Sequence, residues 1–241
     1  MQHYFYDNSK TGKAYFAYEL SRGCRKTIQV AIMPDGTICV KAPYRMSQEA
    51  IQRFLKEKST WILEHTEKIR KERLEYPEQT FREGDQFLYL GNRYRLKIQT
   101  GNTEDVCLSG NFLMMNETVK TKNRRKEVLE QWYRKRAKEY IEKRVRIFSV
   151  EMGEIPNRIT IKTQKNRWGS CSSRRNLNFN WKLIMLPREE IDYVIVHELC
   201  HLREMNHSAA FWKEVEHVMP DYKIRRKWLR DNAWKVEWEQ I

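Results

Sequence analysis

VIVHELCHLREMNH, residues 194–207, is the stretch of this sequence that decides its fold. Just before it, Pro187, Glu189 and Glu190 are typical of a helix start, because proline is accepted in a first turn and the helix dipole favours negative charge there. Residues 191–196, IDYVIV, are then apolar at all positions but one. The pattern predicts a buried central helix with histidines on it.

Three residues of this helix predict a metal centre. His197 and His201 are four residues apart and therefore share one helix face, so both imidazoles can reach one tetrahedral ion. Glu198 lies beside them, where a carboxylate can accept a proton from a water on that ion. The HExxH pattern predicts one bound Zn²⁺ per chain, with His197 and His201 as ligands and Glu198 as general base.

A catalytic zinc site needs a third protein ligand, and His207 is the favoured candidate. On an unbroken helix His207 would face away from His201, so we expect the helix to end before it. Asn206 tolerates the left-handed conformation that ends helices, and Ser208 can cap a new helix over residues 209–218. Glu204 stays open as an alternative ligand, or as a residue that orients a ligand imidazole.

The first half of the chain reads as β-hairpins with one helix. Turn residues at Pro34-Asp35-Gly36 separate strands at 26–32 and 37–41, and Gly91-Asn92 separates strands at 87–90 and 94–98. A short pair at 106–108 and 112–115 follows. Residues 47–74 have helical periodicity. No internal repeat is evident in the sequence.

The second half begins near Lys120 with a basic amphipathic helix, followed by strands at 158–163, around 168–172 and at 177–184. We therefore predict an α+β protein: N-terminal β-hairpins with a helix, then a metal-binding domain with a small sheet and a central HExxH helix. The predicted domains are residues 1–119, a β-rich N-terminal region, and residues 120–241, the metal-binding catalytic domain.

The composition predicts a cytoplasmic globular protein. Of 241 residues, 40% are hydrophobic, enough to bury a core. No apolar run approaches the roughly 18 residues that span a bilayer, and the opening MQHYFYDNSK does not resemble a signal peptide, so no membrane association is expected. The five cysteines have irregular spacing, which indicates reduced thiols.

The net charge of +14 raises the question of a nucleic-acid partner. Residues 120–146 contain 12 basic and 4 acidic side chains, but Leu129, Trp132, Ala137, Ile141 and Val145 follow a helical rhythm among them. This arrangement is typical of a helix with one packed and one solvated face. Nucleic acid is therefore not the expected partner.

Two long segments are similar to a known family. NRWGSCSSRRNLNFNWKLIMLP, residues 166–187, and VIVHELCHLREMNHSAAFWKEVEHVMPDY, residues 194–222, resemble the YgjP-like metallopeptidase family, as does FLYLGNRYRLKI at 87–98. The resemblance covers nearly the whole chain. It implies a zincin-type fold, metal ligands at His197, His201 and His207, and the acid-base role at Glu198. It also implies a second activity to consider, because some relatives are credited with nucleotide pyrophosphatase activity.

The sequence is compatible with three functions. The favoured one is a zinc metallopeptidase that acts on a peptide or protein, with a strand around 167–172 pairing with the substrate and Trp168 contacting it. The second is a metal-dependent nucleoside triphosphate pyrophosphohydrolase, for which Arg167, Arg174 and Arg175 are the nearest phosphate-binding candidates. The third is a basic nucleic-acid-binding module with a structural metal, against which Glu198 argues because a structural site needs no base.

Overall fold

The computed structural model describes residues 2–9, 12–33, 35–75, 79–100, 104–164 and 167–236. The chain forms two compact units, Met1–Pro77 and Glu78–Ile241. The boundary therefore lies well before residue 119, where the sequence had suggested it. Each unit has its own hydrophobic core.

The first unit is a four-stranded sheet followed by a long helix. Its sheet has the order β1-β2-β4-β3, in which β2 and β4 run parallel and the outer pairs are antiparallel. The hairpin predicted around Pro34-Asp35-Gly36 is confirmed as β3–β4, whereas the β1–β2 pair had not been predicted as strands. The elements are β1 (Gln2–Ser9), β2 (Gly12–Gly23), β3 (Gln29–Ile32), β4 (Ile38–Pro43) and α1 (Gln48–Glu75).

The second unit opens with another four-stranded sheet and another long helix. Both hairpins predicted here are confirmed. The sheet order is β5-β6-β8-β7, again with one parallel pair, β6–β8, between two antiparallel pairs. The elements are β5 (Gln86–Tyr89), β6 (Asn92–Gln99), β7 (Val106–Ser109), β8 (Phe112–Asn116) and α2 (Lys122–Met152).

The two units thus share one strand order and one succession of four strands and a helix. The sequence shows no repeat because strand order is set by hydrogen bonding of the backbone, which many different side chains permit. The sequence analysis found no repeat of amino-acid residues, but the two units repeat one topology.

The rest of the second unit holds the predicted metal-binding segment. A three-stranded sheet of order β10-β11-β9 combines an antiparallel β10–β11 pair with a parallel β11–β9 pair. Three helices follow, and the fold is α+β as predicted. The elements are β9 (Arg158–Lys162), β10 (Gly169–Cys171), β11 (Asn176–Asn180), α3 (Arg188–Cys200), α4 (Ala209–Val218) and α5 (Tyr222–Asn232).

A shared core explains why the boundary precedes the second sheet. Leu96 and Leu113 of that sheet, Leu129 of α2 and Ile195 of α3 all belong to one buried cluster. The hydroxyl of Tyr133 on α2 also donates to the carbonyl of Leu88 at 2.7 Å. Burial of apolar surface is the main stabilising contribution in a core of this kind. Residues 78–119 therefore belong with the metal-binding segment.

The β5–β6 turn helps to fix the start of α3. The amides of Leu90 and Gly91 donate to the carbonyls of Ile184 and Met185, at 2.8 and 3.2 Å. Gly91 has a φ of 79°, and a Cβ there would come within 2.9 Å of the Cα of Pro187. Only glycine adopts this conformation and permits this approach without strain.

The basic helix α2 has the two faces that its periodicity predicted. Thr121 caps it by accepting from the amide of Arg124 at 3.2 Å, and Gly153 ends it with a φ of 67°. Leu129, Ala137 and Ile141 are fully buried, whereas most of the lysines on the opposite face are exposed. Much of the local positive charge is therefore solvated.

One strand prediction is wrong at its end. Residues 177–184 were expected to form a strand, but β11 ends at Asn180 and a 3₁₀ helix, Trp181–Met185, follows. The side chain of Asn180 accepts from the amide of Lys182 at 3.2 Å and donates to the carbonyl of Gln164 at 2.8 Å. A short polar side chain that bonds the nearby backbone in this way competes with strand pairing. In the described ranges, no helix is long and apolar enough to cross a membrane.

Candidate metal centre

Helix α3 is the central element of the second unit, as its apolar sequence predicted. Ile191, Ile195, Val196 and Leu199 are fully buried, so the helix has no broad solvent-facing side. Its first turn carries Glu189 and Glu190, where negative charge complements the helix dipole. A helix packed on most sides holds the side chains at its C-terminal end in fixed positions.

The chain turns back after α3 and brings a third histidine to the first two. The helix ends at Cys200, and the amides of Leu202 and Arg203 donate to the carbonyls of Leu199 and Cys200. Ser208 then caps α4, accepting from the amide of Phe211 at 3.3 Å, as predicted.

The predicted left-handed conformation of Asn206 is wrong. In the described part of the chain, the non-glycine residues with positive φ are Phe81, Leu90 and Arg175. The helix has already ended in the turn after Cys200, so no left-handed residue is needed at position 206.

His197, His201 and His207 form one compact group. The Nε2 atoms of His197 and His207 are 3.0 Å apart, and one ring nitrogen from each of the three lies within 4.8 Å of the other two. The Nδ1 of His201 lies 2.9 Å from the carbonyl oxygen of Glu204 and donates to it, which leaves its Nε2 as the free electron-pair donor. Three imidazole nitrogens that converge in this way match the donor set of a zinc site.

Glu204 contributes through its backbone. Its carbonyl orients His201, whereas its carboxylate is absent from the group of described side chains that could hold a metal together. The sequence indicated Glu204 as a residue that orients an imidazole, but it did not show that its backbone carbonyl orients His201.

Aromatic rings surround the three histidines. Phe211, which is fully buried, stacks on His201 with ring centres 4.4 Å apart, and Trp212 stacks on His207 at 5.6 Å. These rings limit the orientations that each imidazole can adopt. The sequence offered a signal for them, since residues 211 and 212 follow the third histidine within one helical turn of the Ser208 cap.

Burial keeps His197 neutral. It lowers the pKa of His197 to about 3, and the neighbouring His201 and His207 lower it further in the same direction. Burial also lowers the pKa of the more exposed His207. A neutral imidazole is the form that binds a metal ion, so these side chains are ready to bind one near neutral pH.

Glu198 is a buried carboxyl with an available oxygen. Its side chain is 5% exposed, and burial raises its pKa to about 8 against the lowering effect of the Arg167 charge. Its Oε2 has no hydrogen-bond partner among the described residues. A buried carboxyl with a raised pKa next to converging imidazoles is typical of a functional site.

Gly169 makes room for Glu198, and the sequence analysis missed it. This glycine opens β10, and a Cβ there would lie 2.6 Å from both Cγ and Oε1 of Glu198. No side chain larger than hydrogen fits without displacing the carboxyl. A glycine inside a predicted strand is the one signal that could have found it, because such glycines mark close approaches.

A cavity of about 360 Å³ opens beside this group. Trp168, Tyr193 and Leu229 form its apolar wall, and His197 and Glu198 are part of its lining. Trp168 lines the cavity and also packs against the core, and its contact with a substrate stays a prediction. The arginines in the lining are Arg226 and Arg230 of α5, whereas the sequence had suggested Arg167, Arg174 and Arg175.

An ion network fixes the turn between His201 and His207. Arg203 donates to Oε1 of Glu154 at 2.8 Å, and Arg175 donates to Oε2 at 2.6 Å. Arg175 also donates to the carbonyl of Leu202 at 3.3 Å. These hydrogen bonds lower the pKa of Glu154 and tie the turn to the end of α2.

Comparison with known families shows which family the chain belongs to. The family model described as YgjP-like, metallopeptidase domain, matches residues 26–232 of this chain. The chain belongs to the YgjP-like metallopeptidase domain family. Among solved structures, the metallopeptidase zymogen of Pyrococcus abyssi abylysin is 24% identical, with a TM-score of 0.36 over 42% of this chain and 99% of the other. No curated protein matches the chain.

A YgjP-like metallopeptidase is a hydrolase that uses a metal ion, and the residues present fit one. The histidine group supplies three imidazole nitrogens within 4.8 Å of one another. Oε2 of Glu198 is a buried polar atom without a hydrogen-bond partner among the described residues, which in a folded protein indicates strain, a functional role, or a bound water or ion. Imidazole donors suit zinc and other late first-row metals.

We expect this YgjP-like protein, once freed of metal by chelation, to lose stability between about pH 6.5 and 8. Here folded Glu198, with a pKa of about 8, keeps a proton that the unfolded chain has released, so stability falls as pH rises, by on the order of 2 kcal/mol. The lowered pKa of His197 makes stability rise with pH instead, but this effect is largely confined to pH values below 6.5.

Chemical denaturation of the chelated protein at pH 6.5 and pH 8 measures this difference. The control is Glu198→Gln, which has no carboxyl to titrate and should show the same stability at both values. Two outcomes would contradict the raised pKa of Glu198: equal stability of the wild type at both pH values, or a loss of stability in Glu198→Gln as large as in the wild type.

Gly169→Ala should displace the Glu198 carboxyl and lower both stability and turnover. The added methyl group would overlap Cγ and Oε1, which typically costs about 1–3 kcal/mol in a packed site. A misplacement of about 1 Å can lower a rate by on the order of a hundredfold. Thermal unfolding and kcat measure the two effects. The matched control is Gly23→Ala, where nothing lies within 4 Å of the new Cβ, and an equal loss in both variants would rule out the proposed steric cause.

Proposed function

We propose that this chain is a zinc-dependent metallopeptidase that holds one Zn²⁺ with His197, His201 and His207 and uses Glu198 as its general base. The observation that carries the proposal is the convergence of three imidazoles beside Glu198 of α3, a buried carboxyl whose Oε2 has no hydrogen-bond partner among the described residues. Family membership supports the coarser statement, a metallopeptidase, and this geometry supports the finer one.

The chain's own residues account for the proton transfers of amide hydrolysis. A zinc ion held by the three histidines would supply a Lewis acid for the scissile carbonyl and favour deprotonation of the attacking water. Glu198 accepts the proton from that water through Oε2 as the oxygen attacks the carbonyl carbon. It then delivers the proton to the amine nitrogen as the C–N bond breaks. Burial raises the pKa of Glu198, so its ionised carboxylate is a stronger proton acceptor than that of an exposed glutamate.

Strand β10 supports a peptide as the substrate. It is an edge strand of its sheet, so one row of its backbone groups has no partner strand within the described residues. An extended peptide can add to such an edge through main-chain hydrogen bonds. Gly169 begins this strand and lies against Glu198, so a peptide paired with β10 would pass the site.

His207→Ala should lower metal affinity far more than Glu204→Ala. The first variant removes an imidazole of the group, whereas the second keeps the backbone carbonyl that orients His201. We expect a loss beyond about a hundredfold for His207→Ala, which is the upper range for residues that only support a ligand. Competition with a chromophoric chelator measures both. The reverse order would transfer the third-ligand role to Glu204.

The bond that is cut can be tested directly. Zinc-loaded wild type and Glu198→Gln are incubated in parallel with an unbiased peptide library and with the common nucleoside triphosphates, at low and physiological salt. We expect Glu198-dependent peptide cleavage with little response to salt, since backbone pairing is weakly screened. Glu198-dependent pyrophosphate release without peptide cleavage would favour the nucleotide reaction instead.

A further inference from the structure

Two arginines of α5 line the cavity, whose remaining lining is apolar except for His197 and Glu198. Leu229 and Arg230 lie three and four residues after Arg226, which places the three on one face of α5, and all three line the cavity together with Ala233. Glu198 is the one acidic side chain among the described residues of that lining. A substrate group that enters therefore meets net positive charge beside the catalytic carboxyl.

Arg226 is held by an aromatic ring and has no acidic partner among the described residues. Its guanidinium carbon lies 4.8 Å from the ring centre of Trp212, which stacks on Tyr222 at 5.2 Å and on His207 at 5.6 Å. Within the described residues, the carboxylates near α5 pair with other arginines, Asp221 with Arg225 and Asp231 with Arg230. A guanidinium fixed by stacking loses little entropy when it binds a ligand, and its planar fork matches a carboxylate.

We propose that this face of α5 recognises a carboxylate of the peptide substrate, with Arg226 as the main contact. The inference rests on the proposed peptidase function and adds its substrate class: peptides that place an acidic group next to the scissile bond. Tyr193, Val194 and Leu229 would pack against the carbon skeleton of the residue that bears the carboxylate. The volume, near the lower end of ordinary ligand pockets, suits one amino-acid residue better than a nucleoside triphosphate.

The carboxylate can come from two sources, the C-terminus of a peptide or the side chain of Asp or Glu. Four peptides of one cleavable sequence distinguish the two sources. The first has a free C-terminus and an internal Glu, the second has an amidated C-terminus, the third has Gln in place of Glu, and the fourth has both changes. We expect removal of the recognised carboxylate to lower kcat/KM of the zinc-loaded protein by about tenfold, as for a charge-assisted hydrogen bond at a partly exposed site.

Arg226→Gln should lower kcat/KM by a similar factor for the peptide that carries the recognised carboxylate, and by much less for the neutral peptide. The matched control is Lys227→Gln, which removes a positive charge from the next residue of α5, an exposed side chain outside the cavity lining. The control should keep the wild-type preference. Equal losses in both variants would mean that only the overall charge matters, and would overturn the proposal.

Binding separates this inference from the proposed function. Affinities of the four peptides for zinc-loaded Glu198→Gln, with and without Arg226→Gln, are measured by calorimetry. If binding depends on the carboxylate and on Arg226 but no peptide is cleaved by wild type, the inference stands and the peptidase function fails. If peptides are cleaved, with no preference for a carboxylate and no effect of Arg226→Gln, the function stands and the inference fails.

Discussion

Glu198→Gln is expected to lower kcat by on the order of a thousandfold while the protein keeps its fold and its metal. Glutamine has nearly the shape of glutamate, so the space left by Gly169 still accommodates it. Its amide oxygen cannot accept and return a proton in the pH range of the enzyme. The loss should appear in kcat, because the substrate still binds to the zinc-loaded protein.

Metal content and circular dichroism show whether this variant is otherwise intact. Glu189→Gln is the matched control, since Glu189 is an exposed carboxylate near the start of the same helix. It should retain wild-type turnover. Near wild-type turnover in Glu198→Gln would mean that another group serves as the base.

His197→Ala and His201→Ala are each expected to remove the bound metal. Each takes one nitrogen from a group of three, and a tetrahedral zinc with two protein ligands is held far more weakly. Because metal binding stabilises the folded state, both variants should also lose the rise in unfolding temperature that zinc gives the wild type.

Elemental analysis of the purified variants, together with thermal unfolding with and without added zinc, measures both effects. His217→Ala is the matched control, because His217 is an exposed histidine on α4 outside the group. It should keep one metal ion per chain. Unchanged metal stoichiometry in both His197→Ala and His201→Ala would show that the site is elsewhere.

The parts of this protein that sequence predicts well are those fixed by local spacing. His197 and His201 must share a face of any helix that contains both, so the helical pattern alone brings them together. Turn residues at 34–36 and 91–92 likewise predict their hairpins, because few residue types adopt the required backbone conformations.

The parts that sequence misses depend on contacts between distant segments. Gly169 and Glu198 meet only because β10 packs beside α3, and Arg226 reaches the cavity only because α5 follows a turn whose direction no local pattern gives. The boundary between the two compact units depends on such contacts too. The sequence indicates hairpins in both sheets, and only the burial of the second sheet against α2 and α3 joins it to the unit that contains the three histidines.

The shared strand order of the two units has a consequence for how the chain reaches its native state. The parallel pairs β2–β4 and β6–β8 each join five residues of one strand to five of the other, so backbone hydrogen bonding does not distinguish these two pairings and the inner side chains must select the correct partners. Phe16 and Tyr18 of β2 share their core with the small Ala42, whereas Leu96 of β6 lies directly beside Leu113. An exchanged strand would overfill one core and leave a void in the other, and both errors are destabilising. Side-chain volume thus protects a chain with two equivalent strand plans from misfolding by strand exchange.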